Sequence, residues 1–281
     1  MNIDKKYLIS NGCSMTAGAM MWEKASWATY LAEDLGLELI NLAVGGRGNR
    51  EITQRTINYA VLNPDKARDS LFVIQLSECM RSLIQWYNPI EDEYNKYYMT
   101  PGIFYDPEIR KGNRWGWWEP EDIFHQWLWK GRETLLPMFM NLKFSLEKTY
   151  WGIVNLVNLC ESNNYPYLIF EGLNDHIPYH RKKEDFWYLH QSDGGEAQEE
   201  ERKYYKLHEP IEPKLLTYIK SLKYYYHGES EQTSTLYKFI HMRFNADGKV
   251  NEDYFKGNSD HPNELGAKMW AKHLVGVLNE V

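Results

Sequence analysis

Cysteine is scarce in this chain of 281 residues. There are three, Cys13, Cys79 and Cys160, too widely separated to form a metal-binding spacing. They read as the reduced thiols of a cytosolic protein. Positive charge is also short: 32 Lys and Arg against 39 Asp and Glu leave a net charge of −7. A general nucleic-acid binder carries the opposite balance, so no nucleic-acid partner is expected, and nothing favours an anionic membrane surface. No apolar run approaches the ~20 residues of a membrane span. The opening Met1-Asn2-Ile3-Asp4-Lys5-Lys6 lacks the apolar stretch of a secretory leader, so a cytoplasmic location is expected. Internal repeats and long disordered linkers are missing too, which predicts one domain over residues 1–281.

What is present is an ordinary globular balance, 43% hydrophobic and 25% charged, with an excess of aromatic residues. Aromatics make up 15% of the chain, with 11 Trp and 21 Tyr. Six tryptophans (Trp86, Trp115, Trp117, Trp118, Trp127 and Trp129) crowd into one segment.

Short apolar runs alternate with amphipathic ones. Strands are predicted at Lys6–Asn11, Leu37–Val44, Leu71–Leu76 and Tyr165–Phe170, with a short fifth at Leu236–Met242. Helices are predicted from Ser26 to Gly36, at Arg50–Leu62, from about Asn141 to Asn163, at Pro213–Tyr225 and at Asn263–Glu280. The β-α-β-α-β order with short connections predicts a parallel sheet with right-handed crossovers. Two stretches break the pattern: an aromatic-rich one at about 84–137, and a charged, tyrosine-rich one at about 174–245 that holds the acidic run Glu196–Glu201. Both read as insertions. The tryptophans of the first form either a small satellite core or a platform that stacks on sugar rings.

Chemistry is expected where strands end. The first strand stops at Gly12-Cys13-Ser14, which puts a hydroxyl at the turn. Ser14 is read either as a nucleophile awaiting a base or as a helix cap, with a following helix whose free N–H groups point back at the site. The second strand ends at Asn41-Leu42-Ala43-Val44-Gly45-Gly46-Arg47-Gly48-Asn49. There Gly46 serves either as an oxyanion donor or as a turn residue with positive φ. Gln75-Leu76-Ser77-Glu78 follows the third strand, and His261 stands at the entrance of the last helix, where a neutral imidazole can accept a serine proton. Serine early and histidine late suggest that sequence-distant groups meet at one site. Asp175-His176-Ile177-Pro178-Tyr179-His180 contains metal-ligating residue types, but Pro178 breaks helical spacing, so no metal is expected. The glycine turns lack both the dinucleotide fingerprint and the Gly-Lys-Ser/Thr ending of a phosphate loop.

Taken together, these elements resemble the SGNH/GDSL hydrolase family. Its first motif, normally Gly-Asp-Ser, corresponds to Gly12-Cys13-Ser14, a variant found in bacterial and phage-encoded members. Asn41–Gly46 resembles the second motif. The last, Asp-x-x-His, falls on Asn258-Ser259-Asp260-His261. The likeness covers residues 5 to 82, 141 to 171 and 255 to 280. It implies a three-layer α/β/α sandwich with a flavodoxin-like parallel sheet and no metal or organic cofactor. It implies Ser14 as nucleophile, His261 as base, and backbone N–H groups of Ser14 and Gly46 in the oxyanion hole. The third motif, normally Gly-x-Asn-Asp, falls on Gln75–Glu78, so Ser77 stands where an asparagine donates. A literal match, Gly172-Leu173-Asn174-Asp175, comes one strand late and makes Asn174 a second candidate donor. Asn258 replaces the orienting aspartate, which leaves Asp260 or Asn258 to hold the imidazole.

The expected activity is hydrolysis of an ester in a small molecule or glycan, with an O-acyl or O-acetyl sugar as the carbohydrate case. An acyltransferase would use the same residues. The altered third and last motifs also fit a binding or structural protein that kept the fold and lost the chemistry, including a phage-encoded one.

Overall fold

A computed structural model describes residues 4–18, 26–77, 79, 81–88, 93–99, 142–172, 212–226, 236 and 261–280. The parallel sheet is built from β1 (Tyr7–Asn11), β2 (Glu38–Asn41), β3 (Ser70–Leu76), β6 (Tyr167–Glu171) and β7 (Tyr225–Tyr226), and every neighbouring pair is parallel. Their order is β2-β1-β3-β6-β7, the doubly wound, flavodoxin-like arrangement. In such a sheet the chain turns back between its first strand and the next one inward, and the carboxyl ends there open a crevice. Here that switch point lies between β1 and β3.

The central strands β3 and β6 are buried on both faces because helices cover both. On β3, Phe72, Ile74 and Leu76 point one way and Leu71 and Val73 the other. The first face packs on α3 (Asn49–Leu62), α5 (Leu142–Ser162) and α6 (Pro213–Ser221), through Ile52, Ala60, Tyr150, Ile153, Leu156 and Ile219. The second packs on α2 (Trp27–Leu35) and α7 (Glu264–Glu280), through Trp27, Leu31, Trp270, Leu274 and Leu278. Phe170 of β6 pins both helices of that face: its ring lies 5.2 Å from Trp27, edge-on, and 5.3 Å from Trp270. The result is the three-layer α/β/α sandwich. Two short helices complete the described elements, α1 (Ser14–Ala17) and α4 (Pro64–Arg68). Among the described residues no helix is long and apolar enough to cross a membrane.

Several elements differ from the sequence expectation, each for a local reason. The second strand stops at Asn41, short of Val44. The Asn41 amide donates to the Thr16 carbonyl at 2.8 Å while its oxygen accepts from Ala43 N–H, a side-chain turn that ends the ladder. The helix expected to reach Tyr225 ends at Ser221, because Leu222 is extended. The chain then enters the sheet as the fifth strand, Tyr225–Tyr226. The fifth strand was expected at Leu236–Met242; Leu236 is instead buried and helical, and residues 237–242 lie outside the described residues. Within the aromatic-rich stretch, β4 (Ser82–Asn88) and β5 (Glu93–Met99) form an antiparallel hairpin, a sheet separate from the parallel one. The rest of that stretch, the choice between satellite core and sugar platform, most of 174–245 and the Asp175–His180 cluster fall outside the described residues.

Candidate active site

Ser14 sits at the switch point. β1 ends at Asn11, whose side chain is buried and fully used. Its amide donates to the Ile52 carbonyl (2.8 Å) and to Thr56 Oγ1 (3.0 Å), and its oxygen accepts from Gly12 N–H. These bonds lock the strand end onto α3. The chain then makes the single helical turn α1, stopped by Gly18 with φ of 70°. Of the N–H groups at its start, those of Thr16 and Ala17 both donate to the Cys13 carbonyl.

His261 reaches Ser14 from the far end of the chain. Asn263 starts α7: its carbonyl accepts from Ala267 N–H and its side-chain oxygen from Gly266 N–H. This cap fixes the backbone two residues past the imidazole. Ser14 Oγ and His261 Nε2 are 2.7 Å apart, within the range of a proton-transfer hydrogen bond. Ser14 is half-buried and so is His261. Burial, and secondarily the positive charge of Arg81, depress the imidazole from its usual 6.5 to about 4. The ring is therefore neutral at pH 7, and in the tautomer that leaves Nε2 unprotonated the serine hydroxyl donates to it.

The glycine turn backs onto this pair. Gly46 has φ of 76°, the left-handed conformation glycine adopts without strain. A Cβ on Gly45 would lie 3.7 Å from that of Ser14. At Gly48, which precedes α3, a Cβ would come within 2.2 Å of the Arg81 carbonyl. Backbone meets backbone there, and only glycine fits.

Ser77 follows β3, across the switch point from Ser14. Its backbone is held on both sides by Asn49: Ser77 N–H donates to Asn49 Oδ1 at 2.6 Å, and Asn49 Nδ2 donates to the Ser77 carbonyl at 3.1 Å. The Ser77 amide is thus committed. Its hydroxyl is sealed from solvent and makes no hydrogen bond among the described residues. Asn258, Asp260 and Asn174 lie outside the described residues.

Three buried residues at this site escape sequence reasoning: Asn49, Gln75 and Thr16. Asn49 reads as one more polar residue after a glycine-rich turn, and a lone glutamine or threonine in an apolar run has no periodic signature. Gln75 is fully buried.

Fold and site together define a doubly wound α/β protein with a serine–histidine pair at its topological switch point. No family model matches the chain, and no curated protein matches it. Two solved structures are similar over nearly its whole length. One, from Desulfitobacterium hafniense, is assigned to the lipolytic G-D-S-L family; it is 13% identical, with 97% of this chain and 99% of that one covered and a TM-score of 0.46. The other is a GDSL-like lipase from Bacteroides thetaiotaomicron, 12% identical, with 98% and 88% covered and a TM-score of 0.42. At such identity and scores the likeness carries no functional argument, which the site's own atoms must supply.

Proposed function

We propose that the chain is a serine hydrolase of the SGNH/GDSL type acting on carboxylic esters. The observation that carries this reading is the 2.7 Å contact between Ser14 Oγ and His261 Nε2 at the sheet's crevice. In the reaction, Ser14 Oγ attacks the ester carbonyl as His261 takes its proton. The oxyanion forms against the backbone of Ser14 and Gly46, with a third donor from the amide of Asn174, or from the hydroxyl of Ser77 once substrate uncovers it. His261 then returns the proton to the leaving alcohol. Water, activated by the same imidazole, releases the acid and frees Ser14. Asp260 or Asn258 orients the ring. The substrate is an O-acyl or O-acetyl group on a carbohydrate, a choice supported by the aromatic content of the chain.

A fluorophosphonate probe tests the proposal. Labelling of the wild-type chain is expected at one residue, Ser14, and Ser14→Ala is expected to abolish it. No labelling under conditions that label a control serine esterase would favour the second reading, a binding protein that kept the fold. That reading draws on the shorter reach of Ser77, since loss of one oxyanion donor costs ~3 kcal/mol of transition-state stabilisation. Product analysis with an added sugar alcohol separates hydrolysis from acyl transfer.

A further inference from the structure

We infer that Gln75 is a positioning residue for Ser14, acting through Thr16, Trp27 and Cys13; the inference rests on the serine-hydrolase reading and deepens it. Gln75 belongs to the face of β3 that carries Leu71 and Val73, beside an apolar cluster that includes Trp27 and Phe170. An amide there needs partners for its oxygen and its two N–H bonds. Its oxygen accepts from Thr16 Oγ1 at 2.6 Å and from Trp27 Nε1 at 3.0 Å, and the same indole N–H also reaches Thr16 Oγ1 at 3.2 Å. An indole N–H can only donate, so this contact fixes which end of the amide faces Trp27. Nε2 is then left to donate to Cys13 Sγ, 3.3 Å away.

The two ends of this amide grip residues on either side of Ser14. Cys13 precedes it and Thr16 follows by two. One helical turn is too short to hold its own shape, and the Cys13 side chain provides no cap bond to it. What holds Ser14 toward His261 is therefore the tie of residues 13 and 16 to β3, reinforced by the Asn41 amide on the Thr16 carbonyl. Two glycines make room for the tie. A Cβ on Gly12 would meet Thr16 Oγ1 at 2.1 Å, and one on Gly172 would meet Gln75 Nε2 at 2.2 Å. Strand β1, strand β3 and the end of β6 thus converge on one side chain.

The test uses Thr16→Val and Gln75→Met, which keep side-chain size and delete the polar contacts, beside Thr16→Ser, which keeps the hydroxyl. Fluorophosphonate labelling is resolved into its maximal rate and its half-saturating concentration. Alkylation of native Cys13 is followed separately by peptide mass mapping. Expected are a maximal labelling rate at least tenfold lower in Thr16→Val and Gln75→Met, a half-saturating concentration within twofold of wild type, and recovery in Thr16→Ser. Cys13 alkylation is expected to rise at least tenfold in the same two variants. A residue that served only stability would lower the labelled fraction with the melting temperature and leave the rate of the folded fraction alone. Folded Thr16→Val that labels at the wild-type rate with Cys13 still protected overturns the inference. If Gln75→Met does not fold, Thr16→Val decides alone. A wild-type chain that never labels, but whose Cys13 becomes reactive in Thr16→Val, would sink the hydrolase reading while leaving the tie to Ser14's turn standing.

Discussion

At His261, two effects act on one imidazole in the same direction. Burial strips water from the charged form, and Arg81 adds like-charge repulsion, so protonation waits until pH falls to about 4. Two consequences follow from the sign. The base form is present well below the usual histidine range, so the acid limb of the labelling rate is expected near pH 4. Arg81→Gln is expected to move that limb upward, though only part of the way to 6.5, because burial is the larger cause. Labelling rates from pH 3 to 8 check both, and a limb near 6.5 in the wild type would contradict the burial of the ring. For stability, the unfolded chain binds this proton more readily than the folded one. The contribution is complete above pH 6.5 and is lost as pH falls from there through about 4. Urea titrations across that window are expected to show the decline, and His261→Gln to flatten it.

At the scale of elements, two helix glycines have opposite meanings. Gly152 of α5 faces α3, where an added Cβ would stand 2.6 Å from Thr53 Oγ1, itself bound to the Asn49 carbonyl. Gly276 of α7 has nothing within 4 Å. Gly152→Ala is therefore expected to cost about 1–3 kcal/mol by overpacking. Gly276→Ala is expected to add about 0.5–1 kcal/mol by removing unfolded-state freedom. Paired urea unfolding midpoints separate them. Much of this layer is legible in the residues alone. Leu71–Leu76 is apolar without alternation, the mark of a strand covered on both faces, and the period of Glu264–Glu280 marks α7. The differences come from interactions that leave no local pattern. Asn41 ends β2 through a carbonyl 25 positions away in the chain. Tyr225–Tyr226 is too short to show an alternation. The β4–β5 hairpin is built of aromatic and polar residues whose pairing depends on a partner strand. At the site, serine, histidine and the glycine turn stand out because turns demand particular residues; Gln75 and Asn49 do not, because their role lies in what they touch.

For the molecule as a whole, α7 has two tasks. It seals one face of the sheet through Trp270, which is fully buried against Phe170, and it carries His261 to Ser14. Trp270→Ala is expected to cost about 3–5 kcal/mol, read by urea unfolding, and to abolish Ser14 labelling at urea concentrations where the wild type still reacts. A variant that loses stability but labels as before would show that the imidazole is held by something other than the docked helix.

The serine and its histidine are 247 positions apart. A ribosome adding ~5–20 residues per second needs roughly 12–50 s to get from one to the other. Throughout that interval the emerging chain holds the hydroxyl but not the imidazole that meets it in the folded structure. The pair is completed only when α7, synthesised after the sheet it covers, docks and brings the ring across.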